Sequence, residues 1–452
     1  MRLGCLLLLA ATLRADIPLQ PTPLETHSPD YAITTAGSVV DAEGASLTLS
    51  AKDKTKQFGT AIAHADATPA LMQRVVLSGE LRTTGALGGA SLWLRIDHEK
   101  KMLILDNGTQ NAIRGDADWT ARSITLPVPS DATTVVFGVL LQPGGGSVEV
   151  RHLRLTVAPL STAPIAPAAQ KLLDEAISVV RKNALHAKDV DWAAREPEIH
   201  AVAAGAEQTS DVYPAIRYLL GLLGDGHSFF QPPAQAKAYA TGGADNPKPE
   251  FRARDGVAYI AIPGYGGTDP TAARAYALYM FKALQETASS ARCGWIIDLR
   301  TNSGGNMYPM LNGLEPFLGD GTLGFFVDAS RKVPWRAPTT VSPAPILMPL
   351  RSAWVAVITG PHTASSGEIV AIAFRDRPNT RSFGQPTAGL STANRGFKLS
   401  DGSNIVLTLS VDADRTGRVY GGKVDPDQAA DDATVVDAAT KWLRDSSACG
   451  AH

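Results

Sequence analysis

The sequence is short of cysteine, of long apolar runs and of charge of one sign. Its three cysteines, Cys5, Cys293 and Cys449, are too few for a disulfide-stapled scaffold or a cysteine-rich zinc site. No stretch approaches the roughly 20 apolar residues that a membrane-spanning helix needs. A formal net charge of -2, from 42 Lys and Arg against 44 Asp and Glu, leaves no basic stripe for nucleic acid and no polybasic membrane anchor. The nine histidines show no His-Glu-x-x-His spacing, so neither a metal nor another cofactor is expected. Electrostatics names no partner. What is present, 452 residues at 44% hydrophobic and 19% charged, is an ordinary globular composition with length for about three domains.

The chain opens with Met1-Arg2, an apolar run from Leu3 to Thr12, and Leu13-Arg14-Ala15. These are the three parts of a secretory signal, so residues 1–15 are expected to be removed and the mature protein exported to the periplasm or beyond the cell. Cys5 would leave with the signal. Cys293 and Cys449 would remain, and whether they pair is left open by the sequence.

From 28 to 157 short runs alternate apolar with polar between turn residues, as in Ser46–Ser50, Arg74–Ser78, Ala90–Ile96, Lys101–Leu105, Thr134–Leu141 and Val148–Val157. Period two at this spacing predicts an all-β sandwich. The pattern, with Trp93 and Trp119 in or beside strands, is similar to jelly-roll carbohydrate-binding modules, which implies contact with carbohydrate or the cell envelope. Trp93 also fits a core position, because it sits within apolar alternation. A Pro- and Ala-rich linker, 158–167, leads to a helical segment, 168–249, in which Lys171–Val180 and Val212–Leu223 carry apolar residues at three- and four-residue steps. The second helix runs into Gly224-Asp-Gly-His-Ser228, whose glycines stop it and leave His227 at a sharp turn.

From 250 to 436 strand and helix signals take turns: strand Val257–Ile262, helix Asp269–Gln285, strand Cys293–Leu299, helix Met307–Leu318, strand Trp354–Ile358, which predicts an α/β core. Residues 437–452 read as a C-terminal helix and tail. The centre of this core is Val355-Ala-Val-Ile-Thr-Gly-Pro-His-Thr-Ala-Ser-Ser-Gly-Glu-Ile-Val-Ala-Ile-Ala-Phe374, a strand, a Gly-Pro break and a helix opened by small residues. Such a turn lifts a small side chain to the sheet's mouth beside free helix N–H groups. On their own, Thr363, Ser365 and Ser366 fit capping and turn roles as well as catalytic ones. Arg300-Thr-Asn-Ser-Gly-Gly305 falls at another strand exit, where glycine lets a backbone N–H approach a substrate oxygen.

Asp298-Leu-Arg-Thr-Asn-Ser-Gly-Gly305, Thr363-Ala-Ser-Ser-Gly-Glu368, Leu399-Ser-Asp-Gly402 and Pro426-Asp427, in this order, resemble the tail-specific or C-terminal processing proteases, a family of serine peptidases. The resemblance runs from about 168 to 436 and implies a crotonase-like α/β protease core beside a helical segment. It implies Ser365 as nucleophile, the N–H groups of Ser366 and of Gly304 or Gly305 as oxyanion hole, and Glu368 at the motif's acidic position. Leu390 stands where one branch of the family has its lysine base, and Lys398 is the only lysine nearby. The other branch, tricorn-like, takes a histidine from the helical segment, which points to His227 as base. The groups that orient that histidine are missing, and Asp225, Ser228 and Tyr420 are the candidates left. The 20 or so residues before Phe251 leave no room for the PDZ module common in the family. The expected activity is hydrolysis of a peptide or protein; an esterase or amidase, or a secreted binding protein without turnover, would use the same scaffold.

Overall fold

The computed structural model describes residues 25–26, 29–36, 45–52, 55, 57–99, 101–242, 246–337, 345–447 and 449. The signal reading of residues 1–15 lies outside them. Two compact units divide the chain, 1–180 with 188–226, and 181–187 with 227–452.

The first unit is rich in sheet. Eight strands form one antiparallel sheet in the order Tyr31–Ala36, Ala45–Ala51, Ser147–Pro159, Gln73–His98, Thr134–Leu141 and Gly59–Asp66, with Lys101–Asp106 and Ile113–Val128 also paired to Gln73–His98. The two runs read as separate strands, Arg74–Ser78 and Ala90–Ile96, are parts of this single 26-residue strand. The glycines between them do not break pairing. They shift its register between Thr83 and Ala90, with Gly85 and Gly89 at positive φ where a side chain would be strained. Trp93 is only 7% exposed and belongs to a core cluster. The guanidinium groups of Arg82 and Arg151 lie over the Trp119 ring, 4.8 and 4.2 Å from its centre, a cation–π arrangement. Helices Trp192–Ala203 and Tyr213–Gly221, with Pro167–Asn183 as far as Val180, complete the unit. The first is tied to the turn after Ile113–Val128: buried Glu198 accepts from the Ser130 N–H, and Arg195 joins Glu198 to Asp131.

The second unit contains a six-stranded sheet in the order Glu250–Arg254, Val257–Ala261, Gly294–Asp298, Val355–Thr359, Thr380–Gly384 and Gln428–Ala429, parallel from Val257–Ala261 onward. Its central strands are buried on both faces, as parallel strands are. Trp295, Ile297, Val355 and Val357 face one core with Met280, Leu284, Met310 and Ile369. Their neighbours Ile296, Ala356 and Ile358 face the other, with Val435, Ala439 and Leu443 from helix Val435–Ser446 at four-residue steps. Cys293, just before a central strand, is disulfide-bonded to Cys449 beyond that helix. The helix read over Met307–Leu318 is two, Met307–Gly313 and Glu315–Leu318, because Pro316 has no N–H to give to the preceding turn.

A second sheet in this unit runs Lys332–Trp335, Gly324–Val327, Asn404–Asp414, Thr392–Lys398, with Phe229–Gln231 also paired to Asn404–Asp414. Thr392–Lys398 is mostly polar and part exposed, which hid it from sequence periodicity.

Candidate active site

The elbow at residues 360–368 is fixed from several directions. Strand Val355–Thr359 ends at Gly360, and fully buried Thr363 closes the turn, accepting from the Gly360 N–H at 3.0 Å and donating to the Leu299 carbonyl at 2.8 Å. The Ala364 N–H donates to the Asn302 carbonyl at 2.9 Å. Ser365 then adopts φ 52° and ψ -120° before the helix Ser366–Ala373, a conformation that costs a non-glycine residue about 1–3 kcal/mol. Gly367 has to be glycine here, since a Cβ would lie 2.5 Å from the Asn302 carbonyl oxygen.

His227 meets this elbow. Its Nε2 lies 2.9 Å from the Ser365 hydroxyl and its Nδ1 2.6 Å from the Thr392 hydroxyl. The residue is 8% exposed. Gly226, at φ 63°, turns the backbone just before it, and the Asn394 amide donates to the His227 carbonyl at 2.8 Å. The serine–imidazole separation is within the reach that proton transfer requires.

Glu368 is on the other side of the serine's backbone. Its fully buried carboxylate accepts from the N–H groups of Ser365 at 2.8 Å, Gly389 at 3.0 Å and Leu390 at 2.8 Å, and from the Thr387 hydroxyl at 2.5 Å. It touches neither the Ser365 hydroxyl nor the His227 ring among the described contacts. Burial pushes its pKa up, while the Thr387 hydroxyl and the three N–H groups pull it back. Four donors and no acceptor call for the ionised form. Buried Asp412 shows the opposite environment. Neither of its oxygens has a hydrogen-bond partner, and burial first, then the charge of Glu368, raises its pKa well above the ordinary carboxylate value. It is held neutral.

The two glycines are not equivalent. The Gly304 N–H is already given to the Asn302 side-chain oxygen at 3.0 Å. No hydrogen bond is recorded at the Gly305 N–H among the described residues, while the Gly305 carbonyl accepts from the Ser366 hydroxyl at 2.7 Å. Gly304 instead permits close approach: a Cβ there would lie 2.8 Å from the Ser365 Cβ and 3.1 Å from the Ser366 nitrogen. An oxyanion drawing on both motifs would therefore use Gly305 and Ser366, not Gly304. A cleft of about 690 Å³ beside Ser365 is lined by Gly305, Ser366, Thr392 and Asn394 and by the apolar side chains of Phe326, Val333 and Ile369.

Other candidates lie elsewhere. Lys398 is exposed at the far end of Thr392–Lys398, six residues from Thr392 and so roughly 20 Å along the strand. The Ser228 hydroxyl accepts from the Thr408 N–H, and the Tyr420 hydroxyl donates to Asp414. Asp225 belongs to the other compact unit. The residue at Nδ1, Thr392, was missed because nothing in a polar edge strand marks one threonine for a histidine 165 positions away. Asn302 carried a readable signal, since asparagine two residues before glycine commonly accepts that glycine's N–H in a turn. Among the described residues no three His, Cys, Asp or Glu side chains group as metal ligands, and no helix is long and apolar enough to cross a membrane.

Residues 256–430 match the sequence model of Peptidase family S41. The chain is 27% identical over 292 residues to the nisin-resistance protein of Lactococcus lactis subsp. lactis, covering 62% of this chain and 88% of that protein. It is 28% identical over 154 residues to the chloroplastic carboxyl-terminal-processing peptidase 2 of Arabidopsis thaliana, covering 34% of this chain and 28% of that protein. Among solved structures, a lipoprotein from Streptococcus agalactiae is similar at 25% identity with a TM-score of 0.56, covering 64% of this chain and all of that one. His227 lies before the matched family segment, so its part rests on geometry alone.

Proposed function

Since the chain belongs to peptidase family S41 through residues 256–430, we propose that it is an exported serine peptidase that cleaves peptide bonds through an acyl-enzyme at Ser365. His227 Nε2 takes the Ser365 proton as the oxygen attacks the peptide carbonyl carbon, a step for which general base catalysis supplies about 10²–10⁴-fold. The carbonyl oxygen becomes an oxyanion between the N–H groups of Ser366 and Gly305, where loss of one donor costs roughly 3 kcal/mol in other hydrolases. His227 then returns the proton to the departing amine. Water, deprotonated by the same nitrogen, hydrolyses the ester and restores the serine.

The observation that carries this reading is the 2.9 Å approach of His227 Nε2 to a serine held at positive φ. Export is supported by the charged start, apolar run and small-residue end of residues 1–15, and by the similarity to a protein described as a lipoprotein.

A fluorophosphonate probe and a set of unstructured peptides test it. The name of the Lactococcus lactis relative makes nisin one substrate to include. Wild type should label and turn over peptide, Ser365→Ala and His227→Ala should lose both by several orders of magnitude, and Ser366→Ala, which keeps its N–H, should still label. Turnover of esters without peptides would make the protein an esterase. Absence of labelling would make it a binding protein.

A further inference from the structure

We propose that Thr392 is the positioning residue that gives His227 its working tautomer: the Thr392 hydroxyl oxygen accepts the proton on Nδ1, leaving Nε2 unprotonated towards Ser365. The inference rests on the Ser365–His227 reading and adds the group that sequence reasoning could not find for it. A neutral imidazole carries one proton on two nitrogens, and the partner at one nitrogen decides the role of the other. Here both nitrogens are engaged by hydroxyls, at 2.6 and 2.9 Å. Ser365 can lose its proton to the ring only if Nε2 is the acceptor, which requires Nδ1–H to be the donor and Thr392 the acceptor.

The backbone around Thr392 is built to hold that oxygen in place. Thr392 and Asn394 stand two residues apart on the edge strand, where the pairing with Asn404–Asp414 shifts register between Ala393 and Asn394. The first meets the His227 ring and the second donates to the His227 carbonyl. Asn394 is itself fixed, since its side-chain oxygen accepts from the Thr408 hydroxyl at 3.0 Å on the neighbouring strand. The Thr392 N–H closes on the Leu390 carbonyl at 2.8 Å, and the Leu390 N–H is given to Glu368, which also holds the Ser365 N–H. The nucleophile and the residue that orients its base are thus anchored to one carboxylate. A β-branched side chain adds a stiff χ1. Position 390, where lysine is absent, contributes only its backbone to the site, and the hydroxyl two residues later takes part in its place.

A hydroxyl is a weaker partner for an imidazolium than a carboxylate, because charge-assisted hydrogen bonds are about twice as strong. Its removal should therefore cost less than removal of the carboxylate in a Ser-His-Asp triad, where the change amounts to about 10⁴-fold.

The test compares full-length wild type, Thr392→Val and Thr392→Ser. Valine keeps the shape and removes the oxygen. We expect kcat/KM of Thr392→Val to fall about 10–100-fold, mainly in kcat, with Thr392→Ser regaining most of the loss. Nitrogen NMR of the His227 ring supplies a readout independent of turnover: the neutral ring should carry its proton on Nδ1 in wild type and lose that preference in Thr392→Val. A tautomer ratio unchanged by valine, or kcat/KM of Thr392→Val within twofold of wild type, would overturn the assignment. If wild type turns over no peptide, the peptidase reading falls instead, and the tautomer ratio still decides the role of Thr392.

Discussion

Replacing Glu368 by glutamine keeps its shape and removes its charge, and the structure allows the consequence to be worked out. The two carboxylate oxygens each accept twice: one from the Ser365 and Leu390 N–H groups, the other from the Thr387 hydroxyl and the Gly389 N–H. Glutamine keeps one oxygen and turns the other into a donor. In its better orientation the amide nitrogen faces Thr387 and Gly389, so two buried donors lose their acceptor. At about 1–3 kcal/mol for each such group, Glu368→Gln should destabilise the 227–452 unit by about 2–6 kcal/mol. The loop that positions Thr392 loosens with it, and so does the support for Ser365 at φ 52°; a displacement near 1 Å costs about 100-fold in rate. Urea unfolding, amide hydrogen exchange over residues 363–392 and kcat/KM together form the assay. A lower urea midpoint, faster exchange at Gly389 and a rate loss of that order are expected. An unchanged midpoint and unchanged exchange, with turnover lost alone, would show that the carboxylate acts on the reaction and not on the loop, and the reasoning would fail.

Asp412 gives the opposite result. Its folded pKa is raised by burial and by Glu368, so stability is complete below the ordinary carboxylate value and is lost as pH rises towards the raised one, by about 1.4 kcal/mol per pH unit across that interval. Asp412→Asn should remove this slope, so its melting temperature should gain on wild type between pH 4 and pH 8; a constant difference would show that Asp412 does not titrate as described. The native protein should begin at Asp16 and show no free thiol at Cys293 or Cys449, and an intact Met1 would contradict export. Reduction of that bond, which spans 156 positions, should cost about 2–4 kcal/mol.

Much of the core was legible because its signals are local. Trp354–Ile358 is apolar at every position and Cys293–Leu299 carries only Asp298 as a charged residue, which is how a strand covered on both faces reads, and the observed strands Gly294–Asp298 and Val355–Thr359 have alternate side chains in two different cores. The sheet of the first unit was legible as strands but not as pairing. The run from Gln73 to His98 read as two strands because glycines between 85 and 89 look like a break, whereas the structure uses them for register shifts inside one ladder. Of the second sheet in the 227–452 unit, the strand up to Ser410 is legible after the Asp-Gly turn, but its partner Thr392–Lys398 is not: it exists only by pairing with Asn404–Asp414, and its sequence has no apolar alternation to announce it. Edge strands are often polar for the reason that one side faces no partner.

The site divides along the same line. Ser365, Ser366, Gly305 and Asn302 belong to two short motifs, and it is the resemblance of those motifs to the processing proteases, not their spacing alone, that implied roles for the first three. The restraints on the elbow fall on four consecutive residues: Thr363 hydroxyl to the Leu299 carbonyl, Ala364 N–H to the Asn302 carbonyl, Ser365 N–H to Glu368, and Ser366 hydroxyl to the Gly305 carbonyl. None of them uses the Ser365 hydroxyl, which lies 2.9 Å from His227 Nε2. The strained conformation is therefore supported by the backbone and the flanking residues, and Ser365→Ala should keep the elbow while removing the chemistry. His227 is different: its two ring contacts come from positions 138 and 165 residues away, and sequence spacing carries no information about either. What made it a candidate was the resemblance of its Gly224-Asp-Gly-His-Ser228 loop to the one that supplies the base in the histidine-using branch of the family, and the structure shows Gly226, at φ 63°, turning the backbone just before the ring.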